Sequence, residues 1–569
     1  MSFIKLLKSD DANRDKEDQL TARSQDKVSS TSIPDALPFV ESFKNVPLEN
    51  LNKQTRTKRH KFSKLLLLMM LALFSVLVVL GYFLITNAKH ATKYLSANSD
   101  INLSQKGHTN SKDTAFNFGY DLAYIEPDWY KTNAQSDANA IKVLSNTPGA
   151  IVDQTLYGEG VTANPEPSPG NFNVSDFSYP DNVYDHSLGS RITLIRKARD
   201  TPAITLLGVP PWMYGCASIV DSTNGVGNCK SCSNGNGTTH PCTKYPGDPD
   251  VWSASGYNPP CPAYYQDFAS LAAHVAASFP QVKYFIVWNE FKGFMDNGAI
   301  DASHYTAMYN DVYAAIKKVR PDALVGGPYA PMGALPLNGQ SCSGYTLCSN
   351  SWGRVPQPII AGFSYWLANK SGADFLTVDG PTEIASASNG IGNNTIASSP
   401  LAVSQMYAAV DIWIRSQTSL PIWWMEAHIQ PCDSTTSCNP SAKCTSVSCW
   451  SDKQAAASRI ATLALMNASG ASVGMWWQPQ EEPDWQDQGL WTSTLSSDGG
   501  QPTTLDLYLN QTASILRQRL TSIGGQPNGV MVVTSGSQAL LINTMNHGSS
   551  ATLNKKYYYL APGQILIEK

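Results

Sequence analysis

The chain has 569 residues, of which 41 are basic and 45 acidic, so its formal charge is −4 and only 15% of it is charged. That length suits one large barrel with attachments or several average domains, and excludes a small disulfide-stapled scaffold. Charge this sparse, against about 25% in an ordinary soluble protein, excludes a phosphate-binding surface as the design of the main body and argues against a nucleic-acid partner. Residues 1–63 hold 12 basic and 9 acidic side chains, whereas residues 87–569 hold 28 and 36, a net of −8.

Residues 1–63 are polar without a sustained apolar period and read as a disordered cytoplasmic arm. Leu65 to Ile85 is a run of 21 uncharged residues rich in Leu, Val, Met and Phe. At about 1.5 Å per helical residue it can cross the ~30 Å hydrocarbon layer of a bilayer, so residues 64–86 are predicted to be a single transmembrane signal-anchor. Six basic residues (Lys53, Arg56, Lys58, Arg59, Lys61 and Lys64) precede it, and only Lys89 and Lys93 follow nearby. The positive-inside rule then gives a single-pass type II protein whose body lies outside the cytoplasm, at a cell surface, in a periplasm or in an organelle lumen. All 11 cysteines and all seven Asn-x-Ser/Thr sequons fall after the span, which agrees with that orientation.

Residues 87–113 read as a stalk. From there short apolar runs alternate with helical patterns, the rhythm of repeated βα units. The strands are expected at Phe116–Ile125, Ala150–Tyr157, Ala203–Val209, Tyr284–Trp288, Leu324–Gly327, Phe375–Val378, Ile422–Met425 and Ser472–Trp477. The clearest helices are Tyr264–Ser278, Ala302–Lys318, Leu401–Thr418, Gln454–Asn467 and Leu505–Leu520. Eight such strands predict an α/β fold, a closed (β/α)8 TIM barrel over residues 114–522. Beyond it Val530–Glu568 alternates in β fashion with turns at Ser535-Gly536 and Asn546-His547-Gly548, so residues 523–569 read as a small β appendage.

Two apolar strands end on carboxylates, Tyr284 to Trp288 on Asn289-Glu290 and Pro421 to Met425 on Glu426. In a βα barrel the C-terminal strand ends build the active site, and three repeats between the two glutamates make these strands four and seven. Two facing carboxyls are the equipment of glycoside hydrolysis: one protonated to expel the leaving oxygen, one ionised to attack the anomeric carbon. Glu290 is assigned the acid/base role and Glu426 the nucleophile, about 5 to 5.5 Å apart, with the charge on Glu426 disfavouring a second charge on Glu290. Asn289 is expected at the sugar 2-hydroxyl. Trp212, Trp477, Trp485 and His428 are candidate substrate contacts, with core packing the other reading for the tryptophans; a solvated rim fits His428, Glu481, Glu482 and Asp484 better than a substrate contact.

The segments Trp288-Asn289-Glu290 and Trp424-Met425-Glu426 resemble the acid/base and nucleophile motifs of clan A glycoside hydrolases. Gly208-Val209-Pro210-Pro211-Trp212-Met213 resembles the strand-three segment of families 30 and 39. Gly326-Gly327-Pro328 resembles the strand-five end of family 39, and Trp476-Trp477 the strand-eight aromatic under the sugar. The likeness spans roughly residues 116–522, with family 39 first and family 30 second. It implies an O-glycosyl hydrolase acting on an oligo- or polysaccharide without cofactor or metal. The chain departs from that pattern in lacking an evident strand-two Arg within Ala150–Gly160, and in having Val378-Asp379-Gly380 where the family tends to have a His before an aromatic. The alternative is an inactive glycan-binding barrel used in adhesion or sensing.

The cysteines follow strands three (Cys216, Cys229, Cys232, Cys242, Cys261), five (Cys342, Cys348) and seven (Cys432, Cys438, Cys444, Cys449). Cys229-x-x-Cys232 lacks a second close pair of ligands, so disulfides local to each loop are favoured over zinc, with one thiol of the strand-three group left free. A His-Glu-x-x-His zinc motif is missing from the sequence.

Overall fold

Eight parallel strands follow one another around a closed barrel: β1 (Asn117–Asp121), β2 (Ile151–Thr155), β3 (Thr201–Leu206), β4 (Tyr284–Val287), β5 (Leu324–Pro331), β6 (Phe375–Glu383), β7 (Ile422–Gln430) and β8 (Val473–Trp477). β8 pairs back onto β1 with Asn117 facing Val473, which closes the ring. This is a (β/α)8 TIM barrel. The computed structural model describes residues 115–121, 134–156, 166, 168–172, 188–210, 213, 232–233, 239–240, 259–291, 293–296, 299–335, 337, 340–383, 400–430, 451–477, 479–480, 489–494, 496–520, 522–525 and 529–569. The expected arm, span and stalk (residues 1–113) lie outside them. Among the described residues no helix is long and apolar enough to cross a membrane.

Among the described residues, eight helices alternate with or follow the strands: α1 (Ala134–Leu144), α2 (Leu188–Lys197), α3 (Tyr265–Ser278), α4 (Ala302–Val319), α5 (Gln357–Asn369), α6 (Pro400–Arg415), α7 (Asp452–Ser469) and α8 (Thr504–Leu516). The five helices expected from periodicity are present within a few residues. Periodicity did not single out α1, α2 and α5. α5 carries Pro358 in its first turn and Gly362 in its middle, both poor helix signals by composition. The proline sits where its missing N–H costs nothing, and Gly362 is where Ile300 packs, 3.1 Å from where a Cβ would stand.

Along the strands, alternate side chains face in and out. The outward set packs against the helices in one large core, and a smaller inward set includes Ile151, Ala203, Ile286, Phe375, Trp423, Met425, Val473 and Met475. Phe375 stacks on Trp423 with ring centroids 4.3 Å apart, and Tyr284 tilts against Trp423 at 4.8 Å. These three rings occupy the first or second positions of β6, β7 and β4, so they plug the N-terminal end of the barrel. Gly326 makes room for them, since a Cβ there would lie 2.3 Å from the Phe375 ring. With the bottom closed by aromatics, the C-terminal mouth is left for polar groups.

The last 48 residues form β9 (Ser522–Gly525), β10 (Val530–Ser535), β11 (Gln538–Asn543), β12 (Ser549–Leu553), β13 (Lys556–Leu560) and β14 (Ile565–Glu568). β9, β10, β11 and β14 make an antiparallel sheet, and β12–β13 a separate hairpin. Met531, Val533, Leu540 and Ile542 join the core on the helix side, while Val530, Val532 and Leu541 pack with Ala551, Tyr558 and Leu560 of the hairpin. α7 is therefore covered on both sides and buried along its length, and Gln454 within it donates to the Thr544 carbonyl of the appendage at 3.1 Å. Cys342 and Cys348 form the expected local disulfide, Cα to Cα 5.5 Å. Cys261 is disulfide-bonded too and so is not the odd thiol; Cys216, Cys229, Cys242 and the four cysteines after strand seven lie outside the described residues.

Phe375→Ala should lower the stability of the folded barrel by about 3–5 kcal/mol, the usual cost of emptying a buried phenylalanine site. Gly326→Ala should also destabilise, and less so in a Phe375→Leu background where the ring is gone. Denaturant midpoints of five proteins, the wild type, Phe375→Ala, Gly326→Ala, Phe375→Leu and the Gly326→Ala/Phe375→Leu double variant, measure both effects.

Candidate active site

Three strand ends depart from regular alternation, and these departures build the mouth. In β4, Tyr284 and Ile286 face inward and Phe285 and Val287 outward, which would send Trp288 inward. Trp288 instead has a left-handed backbone (φ +69°) and packs among the outer core, edge-on to Phe268 and Phe294 at 5.9 and 6.2 Å. The reversal turns Asn289 to the interior, and Glu290 (φ +53°) follows. Left-handed non-glycine residues cost about 1–3 kcal/mol each. The aromatic packing around Trp288, the edge-on contact of Phe291 with Tyr305 at 4.9 Å, and a 2.8 Å hydrogen bond from the Tyr305 hydroxyl to the Val287 carbonyl hold the turn in place.

In β5 the extra residue is Tyr329. Thr377 of β6 faces Pro328 and Val378 faces Ala330, so Tyr329 bulges out of register. Its φ is +56°, its N–H donates to Thr377 Oγ1 at 2.8 Å, and its ring lies inside the barrel. In β7, Trp424 faces Gly474 and Ala427 faces Trp476, so Met425 and Glu426 together oppose one residue of β8. Met425 is inside the barrel and Glu426 also turns to the mouth, as a bulge next to a site allows. Trp424 anchors β7 from outside, donating to Asp411 Oδ1 at 2.8 Å; burial holds that aspartate up at about 7.

Glu426 Oε1 accepts hydrogen bonds from Asn289 Nδ2 at 3.1 Å and from the Tyr329 hydroxyl at 2.9 Å. Carboxylate oxygens of Glu290, Asp379 and Glu426 lie within 4.8 Å of one another. The Tyr329 hydroxyl also bonds Asp121 at the end of β1. Asp121 in turn bonds Asp153 of β2, which accepts from Thr205 Oγ1 at 2.6 Å. Five carboxyls thus meet at one end of the barrel. Asp121, Asp153, Glu290 and Asp379 are buried and Glu426 is partly open to solvent. Burial, with the Glu426 charge adding to it, pushes Asp153 up to about 6 against the lowering effect of its hydrogen bonds to Asp121, Thr205 and the backbone. Burial, reinforced by Asp121, Glu426 and Asp379, holds the Tyr329 hydroxyl well above its ordinary range, so it keeps its hydrogen at any working pH.

The structure brings together Glu290, Asn289 and Glu426. Trp477 is half-buried at the end of β8, and alternation after Val473 and Met475 puts it on the interior side. Trp476 is outward, buried, with the Arg459 guanidinium 4.9 Å above its ring. Trp212, Trp485 and the run Glu481 to Asp484 lie outside the described residues, as does the side chain of His428. Asp121, Asp153 and Tyr329 were not anticipated, and Asp379 was noted only as a departure from a family pattern. Asp121 carried the same signal as the glutamates, an apolar strand ending on an acid, and Asp153 stands alone as a charge within a buried strand.

Glu290, Asp379 and Glu426 are spaced closely enough to hold a hard cation. However, Glu426 Oε1 already receives two hydrogens, from an amide and a hydroxyl, that a cation would repel. None of the three is read as a metal ligand.

No protein-family model matches the chain, and no curated protein matches it. Solved structures do resemble it. A family 39 glycoside hydrolase from the gut symbiont Bacteroides cellulosilyticus WH2 is 14% identical with a TM-score of 0.44, over 79% of this chain and 80% of that one. A family 39 β-xylosidase from Caulobacter crescentus is 14% identical with a TM-score of 0.41, over 78% and 79%. An endo-β1,6-glucanase is 11% identical with a TM-score of 0.45, over 80% and 90%.

Asp153 keeps its proton to a higher pH when folded (about 6) than the ordinary aspartate value of 3.8. The native state therefore binds more protons than the unfolded chain across that window, and stability falls as pH rises from about 4 to about 6. Asp153→Asn should flatten this part of the stability profile, read as thermal midpoints across the window.

Proposed function

We propose that the chain is a membrane-anchored retaining glycoside hydrolase that cleaves O-glycosidic bonds of an oligo- or polysaccharide by double displacement. The observation that carries this reading is the approach of Glu290 and Glu426 to within 4.8 Å at the C-terminal mouth of the barrel. Inverting enzymes keep their carboxyls about 6.5–9.5 Å apart to admit a water, and retaining ones about 5–5.5 Å. Glu426 is the nucleophile, because two uncharged donors fix one of its oxygens while the group stays partly accessible. Glu290, buried beside it, is the acid that gives its proton to the leaving oxygen as Glu426 bonds the anomeric carbon. Glu290, then ionised, takes a proton from water, whose oxygen displaces Glu426 and restores both groups.

Asn289 serves both partners: its amide holds Glu426, and its place next to Glu290 suits contact with the sugar 2-hydroxyl. Trp477 offers an aromatic face at the mouth, and Trp212, Trp485 and His428 complete the substrate contacts in this reading. The barrel stands outside the cytoplasm on a stalk after the Leu65–Ile85 anchor, within reach of glycans near the membrane.

Products of an aryl glycoside should retain anomeric configuration in the first turnovers, read by proton NMR; inversion would overturn the double displacement. Glu426→Gln should lose activity on every substrate. Glu290→Gln should lose about 10²–10⁴-fold on poor leaving groups and much less on activated aryl ones, which need no acid. Protease added outside intact cells should remove the barrel, or spare it in sealed organelles while trimming the N-terminal arm; an N-terminal tag and the barrel on one side would overturn the topology.

A further inference from the structure

The hydrogen-bonded line from Asp153 through Asp121 and Tyr329 to Glu426 poses a counting problem. Three contacts lie along it, Asp153 to Asp121, Asp121 to Tyr329, and Tyr329 to Glu426, and each needs a hydrogen. The tyrosine brings one. Asp153 Oδ1 is buried and receives no N–H or O–H donor, so the carboxyl–carboxyl contact is attractive only if the pair itself holds a proton. Two negative charges so close in a buried site are otherwise strongly unfavourable.

We propose that Asp121 and Asp153 form a proton-holding pair that acts through Tyr329 as positioning residues for Glu426. With two protons on the pair, every hydrogen points one way: Asp153 to Asp121, Asp121 to the Tyr329 oxygen, and Tyr329 to Glu426. All three contacts are satisfied and Glu426 stays ionised. When the pair gives up a proton to solvent, Asp121 turns acceptor and the tyrosine hydrogen swings to it. Glu426 Oε1 then faces the bare hydroxyl oxygen and loses the tyrosine hydrogen, while the Asn289 amide stays in place. The same chain therefore couples the strength of the Glu426 hydrogen bond to pH. Among the described residues, groups facing it include Asp121 on β1, Asp153 on β2, Thr205 on β3, Asn289 and Glu290 after β4, Tyr329 on β5, Asp379 on β6 and Glu426 on β7. Burial of Asp153 supports the assignment, since it holds that carboxyl up toward neutrality.

This inference rests on the glycosidase reading for its kinetic consequence and not for its proton count, and the test separates the two. Asp121→Asn supplies a permanent donor to Tyr329, so the alkaline limb of kcat/KM on an activated aryl glycoside should move up by about one pH unit or more. Asp153→Asn removes a neighbouring charge and gives Asp121 a donor, which favours the Asp121 carboxylate, so that limb should move down by a similar ~1 unit. Tyr329→Phe should abolish both displacements. A merely structural role would scale the profiles without shifting them in opposite directions, and that result would overturn the proposal. Independently of turnover, the infrared carbonyl band of protonated carboxyls near pH 6 should be weaker in Asp121→Asn than in the full-length wild type. An unchanged band would overturn the proton pair whatever the activity. Absence of hydrolysis on every glycoside with the band difference present would instead overturn the enzyme reading and uphold the pair.

Discussion

One oxygen of Glu426 is held by an amide from β4 and a hydroxyl from β5, although Glu426 itself sits on β7. Neither β4 nor β5 pairs with β7, whose partners are β6 and β8, so the contact reaches across the mouth and exists because the sheet closes. Barrel closure is therefore the constraint on which the site depends: it brings groups more than ninety residues apart in the chain to a common point. The aromatic plug of Tyr284, Phe375 and Trp423 serves the same end from below, by filling the interior so that the strands hold their tilt without water reaching the polar groups from that side.

Uncharged donors have a consequence for the chemistry. The amide and the hydroxyl on Glu426 Oε1 orient the carboxylate without themselves neutralising its charge. The remaining acids at the mouth oppose that charge, and burial disfavours ionising all of them together. Protons must then be distributed among five carboxyls, and hydrogen-bond direction becomes a property of the whole cluster rather than of any one residue.

Backbone strain concentrates at the same places. Trp288, Glu290, Phe291 and Tyr329 are all left-handed, and each adjoins or belongs to the mouth. Regular strands would have turned Asn289 and Glu426 toward the helices. Strain of this kind persists where surrounding packing over-determines the backbone, which Phe268, Phe294 and Tyr305 do at the end of β4.

The order of eight strands, most of the helices, the terminal β appendage and the two strand-end glutamates were legible in the sequence, because burial on both faces leaves apolar runs and the barrel repeats one unit. Composition alone also excluded a phosphate-binding body. Tertiary structure decided which side chains share the mouth. Period-two alternation assigns Trp288 to the interior and Glu426 to the exterior, and both assignments reverse through a left-handed turn and a bulge whose register is set by the neighbouring strands. Tyr329 likewise reads as an ordinary residue after Gly-Gly-Pro until β6 slips past it by one position. Local pattern specifies a strand and its apolar face; where a strand gains a residue against its partner is settled by both chains at once, and at this mouth those extra residues are the functional ones.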